Sequence, residues 1–353
     1  MKKISAIICE LNPLHDGHRY VFNAAKTNSD VLVAIMSGNF VQRGETAVYH
    51  KYKRAEMALS AGANIVVELP FPFSSSSAEY FARAGVTIAE GIGADTLYFG
   101  SECGDIDALK KCAKVLASDE YRNAMTVGRS AKLRADAIKT LAPDLPESLL
   151  SSPNDILGAE YCRFATINTV PVKRISTDSA SIIRKRELQN SDTDMLDPQR
   201  IFELEFNHFR SLRNLSGGIA ECGGGVAERL YKTAFESKNA SEWIENVKTK
   251  QYTDARLRRA ALYSLCSVTS TELSMPCSFT NLLGADSGGT AYLSSIRKSG
   301  NFPIITNNRD KRFLDNDSVL QYELSMFADS IYALCMRNAD PALFIKTQPV
   351  ICG

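Results

Sequence analysis

IICELNPLHDGHRY, Ile7 to Tyr20, decides how this chain is read. The apolar run from Ile4 to Cys9 has the length of a buried strand. Asn12 and Pro13 then break the regular backbone, and Arg19 to Lys26 has helical character. The stretch predicts strand, tight loop, helix. Open α/β sheets place ligands at such junctions, outside the carboxyl end of a strand. A helix start adds unpaired N–H groups and the positive end of the helix dipole, which suit an anion. Gly17 has no side chain and lets a phosphate approach the backbone. His15 and His18 flank it and can donate hydrogen bonds to phosphate oxygens as charge builds during transfer. The helical zinc signature needs histidines at i and i+4 with a glutamate between, and this stretch has neither. No protein metal site is expected. Ordinary loop histidines are a weaker account, because only four histidines occur in the chain and two fall here.

The chain as a whole narrows the classes. Its 353 residues predict two domains, and 44% hydrophobic content supports a substantial core. A net charge of +1 gives no global nucleic-acid signature, so RNA binding would need a local patch. The run after Met1 is too short for the apolar region of a signal peptide, and no stretch reaches transmembrane length. Nine scattered cysteines without a C-x-x-C pair predict reduced thiols and a cytoplasmic location.

Strands and helices alternate from Ile4 to Ile175. Val31–Met36, Ile65–Leu69, Thr96–Phe99 and Val170–Ile175 read as further strands. Helices are expected at Lys51–Gly62, Asp105–Leu116, Asp119–Leu141, Ser151–Ala165 and Ser179–Leu188. The pattern predicts an α/β fold with a parallel, Rossmann-like sheet covered on both faces. Polar Ser191–Gln199 reads as a linker, dividing a domain of residues 1–190 from a mainly helical domain of residues 191–353. In the second half, Thr253–Val268 is the clearest helix, and Pro303–Thr306 is too short to assign. Lys248, Lys250, Arg256, Arg258 and Arg259 form the best local basic cluster, a candidate RNA contact that a solvated helix face would equally explain. The loop Ser37–Ala47, SGNFVQRGETA, carries Gln42 and Arg43 at a strand end, where Arg43 can pair with carboxylate or phosphate.

NPLHDGH resembles the HxGH signature of the HIGH-type nucleotidyltransferases. Taken with MSGNFVQRGE, ELPFPFSSSSAEYFA, FGSE, PNDILGAEY, SASIIR, YTDARLRRA and PIIT, in that order, the chain resembles the bacterial tRNA(Met) cytidine acetate ligases. The resemblance implies an ATP-dependent ligase that forms acetyl-adenylate and acetylates the exocyclic amine of the wobble cytidine of elongator tRNA(Met). It implies ATP along Ile7, Ile8, Cys9, Glu10 and Leu11, and on the loop Asn12, Pro13, Leu14, His15, Asp16, Gly17, His18, Arg19 and Tyr20. Gly100, Asn154 and Arg174 match further nucleotide contacts, and Ser179 and Arg184 match the second phosphate motif. Mg2+ is expected to come with the nucleotide. His15, His18 and Arg43 are the expected catalytic residues, with Gln42 and Arg43 toward acetate or phosphate. The alternatives are a small-molecule nucleotidyltransferase or a relative with a changed acceptor. Two departures stand out: only Ile175–Asp178 separate Arg174 from the SASIIR helix, and a tract GGIAECGGGVAE, Gly217–Glu228, precedes a C-terminal helix.

Overall fold

The computed structural model describes residues 2–127, 131–175, 180–189, 195–215, 217–296, 302–338, 340 and 342–352. Its frame is one eight-stranded sheet. The strands are β1 (Ile4–Cys9), β2 (Val31–Ser37), β3 (Ile65–Leu69), β4 (Thr96–Ser101), β5 (Asn168–Lys173), β6 (Thr280–Ala285), β7 (Ile304–Ile305) and β8 (Val350–Ile351). The helices used below are α1 (Asp16–Lys26), α2 (Lys51–Ser60), α3 (Ala78–Gly91), α4 (Ile106–Ala117), α5 (Pro153–Phe164), α6 (Ala180–Glu187), α7 (Pro198–Ser211), α8 (Val226–Glu236), α9 (Ala240–Val247), α10 (Asp254–Leu265) and α11 (Asn316–Cys335).

Strands β3, β2, β1, β4 and β5 lie side by side in that order, all parallel. Every residue of β1, β2 and β3 is buried, as expected of strands covered on both faces. The two-residue period sorts β1 between two cores. Ile4, Ala6 and Ile8 join Phe81, Ala82 and Val86 of α3. Ile7 and Cys9 join Val21, Phe22 and Ala25 of α1 with Ala55 and Ala58 of α2. The strand order reverses between β1 and β4, and such a switch point opens a crevice at the carboxyl ends of those two strands.

The parallel sheet expected from the first half is present, but it does not stop at residue 190. β6 pairs antiparallel with β3, and β7 and β8 then pair parallel with β6. A shared cluster also joins Phe40 and Phe71 to Leu262 and Tyr263 of α10 and to Tyr332 of α11. The expected boundary therefore divides the sequence without dividing the sheet.

The linker reading needs correction. Residues 190–194 lie outside the described residues, but Met195 and Leu196 are fully buried and bridge to Tyr49 and Met336. Pro198 starts α7 instead of ending structure, because proline suits the first turn and Asp197 caps the Gln199 N–H at 3.1 Å. The stretch Asp119–Leu141 is likewise not one helix but Asp119–Ala124, a short turn of 3-10 helix and Ala131–Leu141. No helix among the described residues is long and apolar enough to cross a membrane.

Candidate functional site

The site starts where β1 ends. The chain leaves the sheet at Glu10, turns through Leu11 at φ 48°, and enters α1 three residues earlier than the sequence pattern suggests. The reason is His15, which acts as the helix cap. Its Nδ1 accepts the Gly17 N–H at 3.1 Å, and the His15 N–H donates to His18 Nδ1 at 3.3 Å. This is a reciprocal capping box built from two imidazoles in place of the usual hydroxyl and carboxylate. The rings stack with centroids 3.8 Å apart.

The caps fix the chemistry of both rings. A ring nitrogen that accepts a backbone hydrogen carries no proton, so the neutral imidazole bears its N–H at Nε2. Burial holds His18 neutral, pushing its pKa down to about 3, with His15 and Arg174 adding in the same direction. Burial also lowers His15, again helped by Arg174 and opposed by Asp16. Two uncharged N–H donors thus stand at the start of a helix. Glu10, just upstream, is pushed up to about 7 by burial, although its Oε1 accepts the Gln42 N–H at 3.0 Å.

Across the switch point, the end of β4 forms the opposite wall. Asp155 of α5 is fully buried and accepts from Ser101 Oγ at 2.6 Å, the Glu102 N–H at 2.8 Å and the Cys103 N–H at 3.1 Å. This pins the turn after the strand. Glu102 then accepts from Asn154 Nδ2 at 2.8 Å and pairs with Arg174 at 3.1 Å. Asn154 and Arg174, two separate sequence matches, therefore meet on one carboxylate, and a third match, Gly100, lies beside the Arg174 side chain. A methyl group at Gly100 would meet only Arg174 Cγ and Val21 Cγ2, each at an ordinary 3.7 Å. Packing within the chain does not demand glycine there, so the residue leaves room beside the strand end.

Arg184 closes the loop side, with Nη1 3.5 Å from the Asn12 carbonyl and Nη2 3.8 Å from Glu45. Ser179 and the shortened segment after Ile175 fall outside the described residues. Arg43 is exposed and adopts φ 73°, and its side chain makes no ion pair among the described residues. Gly44, at φ 71°, is a true glycine position: a Cβ would sit 2.8 Å from the Arg259 N of α10. The Ser37–Ala47 loop therefore rests directly on the helical half.

The basic cluster is less positive than its sequence suggests. Arg258 pairs with Glu45 at 2.6 Å, Arg259 with Glu221 at 2.9 Å and Arg256 with Glu221 at 3.6 Å. Glu221 belongs to the glycine-rich tract, which thereby supplies the counter-charge for α10. Lys248 pairs with Glu245 at 2.6 Å, and Lys250 is exposed.

Two functional side chains were missed by the sequence reading. Arg54 is completely buried and donates from Nη1 to the Glu10 carbonyl at 2.6 Å and the Ser37 carbonyl at 3.0 Å. It also donates to the carbonyls of Gly38 and Tyr49. One guanidinium thus clamps the ends of β1 and β2 and sets the loops that leave them. Lys51 is buried beside it, its ammonium bonded to Glu68 and to Asp329 of α11. A signal was present: Lys51 and Arg54 share the i, i+3, i+4, i+7 face with Ala55 and Ala58, the side that packs on the sheet.

A 3-2-1-4-5 parallel sheet with paired imidazoles at the first strand end defines a nucleotidyl transferase. In agreement, the family profile described as HIGH Nucleotidyl Transferase matches residues 1–193 and 179–344. The tRNA(Met) cytidine acetate ligase of Acetivibrio thermocellus is 30% identical over 95% of this chain and 96% of its own length. That of Listeria monocytogenes serovar 1/2a is 33% identical over 86% of this chain and 89% of its own. The crystal structure of Thermotoga maritima TmcAL bound with alpha-thio ATP superposes with a TM-score of 0.82 at 26% identity, covering 99% of both chains. This chain belongs to the tRNA(Met) cytidine acetate ligase family.

Proposed function

We propose that this chain activates acetate with ATP and passes the acetyl group to the exocyclic amine of the wobble cytidine of elongator tRNA(Met), in the cytoplasm. The observation that carries the reading is the pair of neutral Nε2–H donors at the start of α1, set in the switch-point crevice of a chain from this family. Acetate is a poor acyl donor because its oxygen leaves badly. Attack of an acetate oxygen on the α-phosphorus of ATP forms acetyl-adenylate and expels pyrophosphate. The cytidine amine then attacks the acetyl carbonyl, AMP leaves, and the amine loses a proton.

His15, His18 and the N–H groups of α1 would hold the triphosphate, with Arg174 and Arg184 on opposite sides. Asn154 and Glu102 would position Arg174. Uncharged imidazoles suit this role: they strengthen their hydrogen bonds as charge shifts to the leaving pyrophosphate. No group of three or more His, Cys, Asp or Glu among the described residues could hold a metal ion. A Mg2+ ion arriving with the nucleotide would neutralise charge on the leaving group. Arg43, exposed at the tip of its loop, would face acetate or phosphate.

Glu10 supplies a pH test. Its carboxyl is neutral below about 7 and ionises above it. Ionisation puts a negative charge at the root of the phosphate loop, so the KM for ATP should rise as pH increases through this range. Glu10→Gln should flatten the rise, and an unchanged pH profile would remove Glu10 from the effect.

The RNA role falls to the face of α10 near the Ser37–Ala47 loop, with Lys248, Lys250, Arg256, Arg258 and Arg259. Arg258→Ala should weaken tRNA binding and reduce the slope of log K against log salt by about one. A slope that does not change would move the RNA contact elsewhere. The activation step itself is tested by acetate-dependent exchange of labelled pyrophosphate into ATP. Exchange is expected without tRNA present; ATP binding without exchange would count against the adenylate.

A further inference from the structure

An acid sits where α7 calls for an apolar side chain. The buried face of this helix carries Ile201, Glu205, Phe206 and Phe209. Glu205 is 5% exposed, and among the described residues its carboxyl makes no hydrogen bond or ion pair. A buried carboxyl without a partner costs stability. The group is not sealed in the core, however: it lines a pocket between α7, α8, α9 and α10. Phe202 and Ile244, both half-buried, give that pocket apolar walls together with Val247 and Leu257. Lys248 and Arg258 also line it, with side chains 49% and 43% exposed, and Asp254 is the third charged residue of the rim.

Burial pushes the Glu205 pKa up to about 8, against the pull of Arg258. At neutral pH the group is therefore mainly the uncharged acid, an O–H donor beside a C=O acceptor. Such a pair matches the edge of a nucleobase, where a ring nitrogen lies beside an amino or carbonyl group. RNA-binding sites take unstacked loop bases in this way, laid against side chains and hydrogen-bonded along their edges. Two cations at the rim suit the phosphates that flank such a base. We propose that the pocket holds one unstacked base of the anticodon loop, other than the wobble cytidine, with Glu205 bonded to its edge and Lys248 and Arg258 toward the neighbouring phosphates. This rests on the reading of the chain as a tRNA-acetylating enzyme and adds where the loop is gripped. Arg258 is paired with Glu45, whose second carboxylate oxygen is 3.8 Å from Arg184, and Arg184 reaches the Asn12 carbonyl of the phosphate loop at 3.5 Å. A strand held at Glu205 can thus run across Glu45 and present an adjoining cytidine to the nucleotide site.

The test is a double-mutant cycle on binding of the full chain to the elongator tRNA(Met) anticodon stem-loop, measured without ATP or acetate. Glu205→Leu should weaken binding about tenfold or more, the usual value of one base contact. Glu205→Gln, which keeps a donor beside an acceptor, should retain it. Each loop nucleotide other than the wobble cytidine is then replaced in turn by an abasic residue. One replacement should cost the wild type about as much as Glu205→Leu does, and should cost the Glu205→Leu variant almost nothing. Additive losses at every position would overturn the proposal. So would equal losses with glutamine and leucine, which would mark a site for a cation. Full affinity in Glu205→Leu would assign the acid to packing alone and overturn it as well. Acetylcytidine made by a chain with no such coupling removes the pocket and keeps the enzyme; coupling without acetylcytidine does the reverse.

Discussion

His18→Ala lowers the rate of acetyl-adenylate formation by about a hundredfold or more, the usual loss when one transition-state donor is removed. The fall should appear in kcat more than in the KM for ATP, because the Nε2–H bond strengthens as pyrophosphate departs. His18 also has a structural task, since its Nδ1 caps the His15 N–H. Losing a cap costs about 1 kcal/mol. His18→Asn keeps a cap acceptor while misplacing the donor, so it should recover stability without recovering rate. Full recovery of rate by asparagine, or undiminished rate in the alanine variant, would assign His18 to structure alone.

Lys51→Met destabilises the fold by about 3–5 kcal/mol at neutral pH, the cost of leaving a buried charge unpaired. The ammonium touches both oxygens of Glu68, at 2.9 and 2.8 Å, and Asp329 Oδ2 at 2.6 Å. Burial alone would lower the Lys51 pKa, but Asp329 and Glu68 together raise it. Burial already holds Asp329 above the usual carboxylate range, against the pull of Lys51. Without the ammonium, two buried carboxylates face each other, and the folded state takes up protons more readily than the unfolded chain. Stability is then lost as pH rises through the folded pKa values and regained as pH falls. Denaturant unfolding should show a smaller deficit at pH 5 than at pH 8. The double change Glu68→Gln with Asp329→Asn should rescue the variant, and a deficit independent of pH would contradict the charge argument. The network also reaches the site, because Asn39 of the Ser37–Ala47 loop donates to Asp329 at 2.8 Å.

Much of this was legible in the sequence because apolar period and strand ends carry the signal. β1, β2 and β3 are mainly apolar runs, and the HxGH loop follows the first of them. β6 escaped notice because Thr280, Asn281 and Gly284 interrupt its apolar pattern. Its polar residues are satisfied only after folding, Thr280 Oγ1 by the Glu68 carbonyl at 2.6 Å and Asn281 by the Glu68 carboxylate at 2.7 Å. α7 was hidden by Asp197-Pro198, which reads as a break but serves as cap and first turn. Arg54 and Lys51 were hidden because charge on a helix ordinarily signals solvent. The partners that bury them, the strand-end carbonyls and Asp329, are distant in sequence. The basic cluster was seen as residues, but its acids, Glu45 and Glu221, come from other elements.

The central claim is most directly tested by incubating the chain with ATP, labelled acetate and elongator tRNA(Met), then analysing the digested nucleosides by mass spectrometry. The expected result is label in acetylcytidine at the wobble position, dependent on ATP and lost in His18→Ala. ATP bound and acetate present, with no acetylcytidine formed, would contradict it.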